Sequence, residues 1–403
     1  MNADILVVGG GPAGSSLAVA LARRGVDVLL VDRARFPRPK PCAEYLSPEA
    51  SRVLAAMGAL ARVEGSGAAA LSGVRVRAPN GLVIAGDFVA QHGFRAYADR
   101  GLSVRREVLD EILFDCARAA GARVVEGLRI TDLVRASSGR VTGAKHGAGE
   151  VIRAQFTIGA DGLRSIVARR LGLARTTRWP RRLALVSHYT GVRDVGEQGE
   201  MHVERDGYVG IADVGHGATT VALVVPAARA KDIARDRTVF LEAWLRSHPH
   251  LAARFSGAER VSPVVATGPF GSYSRRARAP AGGAALVGDA ADFFDPFTGE
   301  GIYAALRGGE LLADALVDAL GARDGGDEAL RAYDRARRKE FGGKWIVERV
   351  IGAVVGWPPL INRAAKRLSA RKDLADLLIG VTGNFVPASE VVRWSYVWKV
   401  FVG

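Results

Sequence analysis

The stretch from Ile5 to Asp32, ILVVGGGPAGSSLAVALARRGVDVLLVD, constrains this chain more than any other. Ile5-Leu6-Val7-Val8 is a short apolar run without polar alternation, the pattern of a strand covered on both faces. Gly9-Gly10-Gly11-Pro12-Ala13-Gly14 then fits G-x-G-x-x-G. Gly9 allows a tight turn, Gly11 lets the backbone approach a pyrophosphate, and Gly14 lets the next helix close on the sheet. Ser15 to Arg24 carries Leu17, Ala18, Ala20 and Leu21 on one face, and Gly25 ends it. Val26 to Val31 reads as a second buried strand. Asp32 stands at its end, where an acid can take both hydroxyls of an adenosine ribose. Strand, turn, helix, strand and acid in one unit give the motif its specificity. A bound dinucleotide is expected, with NAD, NADP and FAD all open at this point.

The rest of the composition narrows the class. A chain of 403 residues can hold about two domains with sizeable cores. Two cysteines, Cys42 and Cys116, cannot make a disulfide framework, and no spacing of Cys or His suggests a metal site. The chain enters a strand directly after Met-Asn-Ala-Asp, and no run of 18 apolar residues occurs, so neither a leader nor a membrane span is expected. A cytoplasmic protein is the plain expectation. The net charge of +14 suits phosphorylated cofactors, an acidic carrier protein or a peripheral contact with an anionic membrane. Nucleic acid is not expected, because no basic run is interleaved with aromatics and no nucleic-acid-binding motif is present.

Further along, Pro37, Pro39 and Pro41 make the segment to Cys42 a stiff extended loop of the kind that lies over a cofactor. Ser47-Pro48 starts a helix that runs to about Gly58. Val74–Val76 and Leu82–Ile84, joined by Pro79-Asn80-Gly81, read as a hairpin. A helix begins near Ser103 and ends at Gly121, and strands follow at Val124-Val125 and at Val151–Ile158. From Leu183 to Pro226 the pattern becomes short strands with Gly- and Asp-rich turns, read as an antiparallel sheet. Thr238 to Phe255 reads as one amphipathic helix. The segment from Glu328 onward reads as helices, the first strongly basic, with turns at Pro358-Pro359 and Pro387. Such a helix either packs its apolar stripe on the domain, the preferred reading, or lies on a membrane surface.

Two later stretches select among the nucleotides. These are Thr157-Ile158-Gly159-Ala160-Asp161-Gly162-Leu163-Arg164-Ser165 and the run from Leu286-Val287-Gly288-Asp289 through Pro296-Phe297-Thr298-Gly299-Glu300-Gly301-Ile302. With them the chain resembles the p-hydroxybenzoate-hydroxylase-like class of FAD-dependent oxidoreductases. That class includes aromatic hydroxylases, geranylgeranyl reductases and flavin-dependent halogenases. Its glycine fingerprint, Asp-Gly motif and Gly-Asp motif occur here in order, between Ile5 and about Leu312.

The resemblance implies tightly bound FAD, with NAD(P)H as a transient reductant that needs no second glycine fingerprint. It implies cofactor contacts from Gly9, Gly11, Pro12, Ala13, Gly14, Asp32, Arg33, Arg106, Asp161, Gly162, Gly288, Asp289, Pro296, Gly299, Gly301 and Ile302. Asp289 would hold ribityl hydroxyls, Arg106 the phosphates, and Pro296 with Phe297 a wall beside the ring. The helix from about Ile302 would point its positive end at the flavin. The family's arginine three residues after Ser165 is Ala168 here, with Arg169 one place later.

The implied architecture is mixed α/β and α+β. A Rossmann-type FAD-binding domain draws on 1–72, 98–176 and 269–327. An antiparallel β-sheet substrate domain comprises 73–97 and 177–268, and a C-terminal helical region 328–403. Cys42, Tyr208 and His188 are the candidate catalytic residues, with Tyr45 beside them in the pocket.

Lys40-Pro41-Cys42 and Gly299-Glu300-Gly301-Ile302 are most similar to the geranylgeranyl-reductase branch. The prenyl-contact motif of that branch, Tyr-x-Trp-x-Phe-Pro, is Tyr208-Val209-Gly210-Ile211-Ala212-Asp213 here. On that departure the expectation is an NAD(P)H-dependent monooxygenase. It would hydroxylate or epoxidise a lipophilic aromatic or polyketide-like small molecule through a flavin C4a-hydroperoxide. An ene-reductase of a prenyl or other lipid ranks second and a halogenase third. A non-catalytic lipid-binding escort is the alternative of a different class.

Overall fold

The computed structural model describes residues 1–90 and 93–401. Gln91 and His92, within the expected 73–97 span, and Val402 and Gly403, at the end of the expected helical region, lie outside the described residues.

The opening strand, Asn2–Val8, sits in the middle of a parallel array. Across that sheet the order is Arg123–Glu126, Val28–Asp32, Asn2–Val8, Glu150–Gly159 and Ala284–Leu286. Ile5 to Val8 and Val28 to Val31 are all buried; hence neither strand alternates polar with apolar residues. The first helix starts at Pro12, three residues earlier than the apolar stripe suggests, and runs to Ala22. Proline suits that first position, where an N–H would find no partner in the helix. Ile130–Arg135 and Val141–His146, for which the sequence pattern predicts no strands, join Glu150–Gly159 as an antiparallel meander. Register shifts at Val141/Gly143 and Lys145/His146 blur the two-residue alternation that would have marked them.

A second large sheet runs in the order Arg182–Thr190, Ala218–Pro226, Tyr208–Asp213, Gln198–Val203, Gly73–Arg77 and Val83–Asp87. The expected hairpin is present, with Val74 opposite Gly86 and Val76 opposite Ile84. The sheet is mixed rather than wholly antiparallel, because Gly73–Arg77 pairs parallel with Gln198–Val203. No tight turn joins those two strands, so nothing local imposes the antiparallel sense. Ala184, Tyr208 and Val224 point to one face, and Leu185, Val209, Leu223 and Val225 to the other. Helices Arg237–Ser247 and Pro249–Phe255 cover the second face. These two replace the single helix expected over Thr238–Phe255. Proline disfavours helical backbone in the residue before it, and His248 is extended, with φ −108° and ψ 104°.

The C-terminal region folds as helices Asp327–Val355, Pro358–Leu368, Lys372–Thr382, Ser389–Val392 and Trp394–Phe401. Val347, Val355, Ile361, Leu374 and Val381 share one core with Val76, Ile84, Tyr208 and Val224 of the second sheet. Lys372–Thr382 closes on Val83–Asp87 because Gly86 has no side chain; a Cβ there would lie 2.5 Å from Ile379 Cγ1. Lys372 Nζ binds Asp87 at 2.7 Å, and the Asp87 N–H donates to Asp376 at 2.9 Å. Burial on the domain is therefore the fate of most of this region, although Trp357, Trp394 and Trp398 stay exposed. Among the described residues no helix is long and apolar enough to cross a membrane.

Candidate active site

Between the two large sheets lies a cavity of about 810 Å³. Gly9, Gly11, Pro12, Ala13, Asp32 and Arg33 line one end of it, and Arg106, Asp161 and Gly162 its flank. Asp289, Pro296, Gly299, Gly301 and Ile302 line the middle. Of the expected cofactor residues only Gly14 and Gly288 stand behind the wall. Gly14 acts through packing: a Cβ there would strike the Gly9 carbonyl oxygen and push the helix off the turn.

The acidic end is prepared by the backbone. Asp32 accepts from the Gly10 N–H and the Ala34 N–H, both at 2.8 Å, so its carboxylate is aimed before any ribose arrives. Each oxygen keeps a second lone pair for a hydroxyl donor. Arg106 is buried, and its guanidinium forks onto Asp110 through two bonds of 2.8 Å. Arg38 reaches the same carboxylate at 3.0 Å, which places two cations beside the glycine turn. Asp161 accepts from the Ile166 N–H at 2.7 Å and caps the short helix Ile166–Arg170. Its other oxygen is buried without a partner among the described residues. An orphaned acceptor on a cavity wall is what a ligand donor satisfies.

Asp289 follows the buried strand Ala284–Leu286 and faces the cavity. Burial pushes its carboxyl up, while Lys40 and Arg106 pull it down. Lys40 itself is pushed down by burial, with Asp289 opposing. Asp295 caps the turn Pro296–Thr298 by accepting from the Phe297 N–H at 3.1 Å. Gly299 then takes φ +71°, and the helix Gly301–Leu320 begins with its N-terminus on the cavity. Pro296 forms wall as expected, but Phe297 does not. Its ring turns onto Tyr208, edge to face at 5.0 Å, and Phe293 lines the cavity in its place.

The second sheet closes the chamber with Ala184, Val186, Ala222 and Val224, joined by Val265 and Phe270. Cys42 and Tyr45 line the same space from the proline loop. His188 stands two residues beyond Val186 on its strand. Its Nε2 lies 2.7 Å from Glu44 Oε2, and its Nδ1 lies 2.9 Å from Ser262 Oγ. Glu44 lines the cavity, and its other oxygen accepts from the Arg106 N–H at 2.9 Å. Glu44 has positive φ, 65°, which no sequence pattern flags for a glutamate. Tyr208 differs from its expected catalytic role. It is fully buried off the cavity, and its hydroxyl donates to Asp295 at 2.6 Å beside the Asp295–Arg182 pair. Tyr208 therefore holds the Pro296–Thr298 turn.

Sequence reasoning missed Glu44, Lys40 and Arg38. Lys40 and Arg38 lie in the loop already singled out, where alternating prolines and cations were the available signal. Arg169 lines the cavity in place of the absent arginine at position 168, where Ala168 is buried. Among the described residues no cluster of His, Cys, Asp and Glu could hold a metal ion.

The glycine cradle, the orphaned Asp161 oxygen, the paired cations and the volume of the cavity fit an adenine dinucleotide with a ribityl chain. Comparison with known proteins agrees. A model of the FAD binding domain matches residues 2–344. A digeranylgeranylglycerophospholipid reductase of Methanothrix thermoacetophila is 31% identical over 357 residues, covering 85% of this chain and 84% of the relative. A menaquinone reductase of Mycolicibacterium smegmatis is 27% identical over 422 residues, covering 99% and 95%. The solved flavin-dependent brominase Bmp2 superposes with a TM-score of 0.84 at 21% identity, covering 99% of this chain and 98% of that one. At that identity the last likeness speaks for the fold. The chain belongs to the FAD-binding-domain family of flavoproteins and is an FAD-dependent oxidoreductase.

Proposed function

We propose that this protein reduces a carbon–carbon double bond in a lipophilic, isoprenoid-bearing substrate, with FAD resident and NAD(P)H as transient reductant. The observation that carries this reading is an ionisable pair, Glu44 and His188, set beside an otherwise apolar chamber. Reduction of an alkene needs a hydride on one carbon and a proton on its neighbour. FAD, when bound and reduced, supplies the hydride. Glu44 is the member of the pair that lines the cavity, so its carboxyl presents the proton. His188 Nε2 stands behind to replace it, and Ser262 fixes the ring. The apolar walls hold a hydrocarbon chain and exclude water. Curated relatives whose names describe reduction of a digeranylgeranyl lipid and of menaquinone support the same class of substrate. Exposed Trp357, just ahead of a helix that carries Arg363, Lys366 and Arg367, and Trp394 and Trp398, on a helix with Lys399, suit a protein that collects its substrate at an anionic membrane surface.

Oxygenation is the second reading, favoured by one observation. Gly210 and Ala212 replace the bulky residues of the prenyl-contact motif, and register with Ala222 and Thr220 puts them on the chamber's side of the sheet. The two readings part in one experiment. FAD-loaded protein, NADPH and a geranylgeranyl lipid are incubated without oxygen in D2O. Reduction predicts a product heavier by two hydrogens, one of them deuterium from solvent, and a Glu44→Gln variant that loses turnover while keeping FAD. A product formed only in air and heavier by one oxygen would overturn it.

A further inference from the structure

Behind the Pro296–Thr298 turn lies a smaller cavity of about 50 Å³ that the proposed reaction does not use. It adjoins the large one across Asp289, Phe293, Pro296 and Gly301, which line both. Glu300 sits at the divide. Its neighbours Gly299 and Gly301 face the large cavity, whereas Glu300 lines the small one. The residue is 3% exposed and gives no cap bond to the helix it precedes. Neither carboxylate oxygen makes a well-formed hydrogen bond among the described residues, and the one hydroxyl near enough to favour the charge is that of Thr298, itself without another partner. A buried carboxylate in that condition is far costlier than the neutral acid.

The charged groups around it are few. Burial pushes Glu300 up to about 7, against the pull of Lys344 and of the Thr298 hydroxyl. Lys344 binds Asn384 and lies 4.2 Å over the Tyr303 ring, and burial pushes its own pKa down. Asp292 pairs with Arg337. Glu348 is pushed up as well, by burial and then by Glu300, Asp292 and Asp295. Tyr45 is pushed up by burial and then by Glu300, and stays neutral. Glu300 is the buried carboxyl at the divide between the two cavities, and the small one has room for water as a proton path.

We propose that Glu300 takes up a proton when two electrons reach the cofactor in the large cavity, so that the added negative charge never faces a buried carboxylate. The electrons and one proton arrive as hydride from a reduced nicotinamide. The second proton comes from solvent through the small cavity and converts the Glu300 carboxylate to the acid. This rests on FAD occupying the large cavity and not on which reaction follows.

The test is a redox titration of FAD-loaded protein without substrate, from pH 5.5 to 8.5, so its outcome is independent of the product assay. Below about pH 7 Glu300 already holds its proton, and the potential falls by one proton per two electrons, about 30 mV per pH unit. Above about pH 7 a second proton joins and the slope doubles to about 60 mV per pH unit. A proton on the reduced cofactor itself bends the curve the other way, shallower at high pH. Glu300→Gln is expected to give the single shallow slope throughout. A wild-type curve that does not steepen, or a Glu300→Gln curve that still does, overturns the proposal. If the variant fails to hold FAD, the wild type decides alone. Infrared difference spectra on reduction at pH 8 must then show a new protonated-carboxyl band that shifts in D2O, and its absence is equally fatal.

Discussion

Tyr208→Phe separates a structural role from a catalytic one. The substitution removes one hydroxyl and keeps the ring, which is buried and packed against Phe297 at 5.0 Å. The lost bond is the 2.6 Å donation to Asp295. Asp295 retains the Phe297 N–H and the Arg182 guanidinium, so its charge is weakened in company but not abandoned. A hydrogen bond to a charged group is worth about 1.5–3 kcal/mol, so a loss of about 2 kcal/mol is expected. That is roughly a 30-fold shift in the folding equilibrium. Urea unfolding of the FAD-free protein should show a lower midpoint with an unchanged slope, since the surface exposed on unfolding is the same. Turnover should persist with the same product, because the hydroxyl does not reach the cavity. Unchanged stability together with collapsed turnover would refute this reasoning and return Tyr208 to the reacting groups. Arg182→Met is the harsher control: it strips a buried carboxylate of its cation and should cost about 3–5 kcal/mol.

Three other outcomes follow from the geometry. Asp289→Ala should weaken FAD binding by about 10- to 150-fold, the loss of a charged hydrogen bond, while the FAD-free protein is no less stable, since burial already disfavours that carboxylate; calorimetric FAD titration equal to wild type would contradict it. His250, between Glu204 and the rings of His202 and His248, is pushed down to about 4 by burial and by Arg77, His202 and His248. The unfolded chain binds that proton first, so its stabilising contribution is complete above about pH 6.5 and fades as pH falls towards 4. His250→Asn should flatten that part of the midpoint-against-pH curve. Lastly, Trp394 is 74% exposed and Trp398 48%, and replacing both with Ala should reduce sedimentation with anionic vesicles without altering FAD binding; equal sedimentation would remove the membrane contact from the proposal.

The residues that line the large cavity around the glycine turn were legible because their signals are local. A glycine turn between two buried strands, an acid at a strand end and a proline at a helix start each depend on neighbours a few positions away. The same holds for the Val74–Ile84 hairpin and the strands of the second sheet. The single helix expected over Thr238–Phe255 shows the limit, since an apolar stripe outweighed Pro249 in the reading but not in the chain.

What only the tertiary structure decided is which side chains meet. Glu44 and His188 are 144 positions apart and lie 2.7 Å from each other; Tyr208 and Asp295 are 87 apart and bonded. Gly73–Arg77 pairs parallel to a strand from a distant segment, and Phe293 takes the wall position that the resemblance assigned to Phe297. Glu300 carries no warning in its sequence context beyond the motif around it, and its isolation comes from a helix packed over it from Asp327–Val355. Local sequence therefore determined the seat of the cofactor, because backbone conformation and periodicity are properties of short segments. The Glu44–His188 pair and the buried carboxyl were decided by packing, because proximity across the chain is set by how whole faces fit and by nothing in the spacing of the residues themselves.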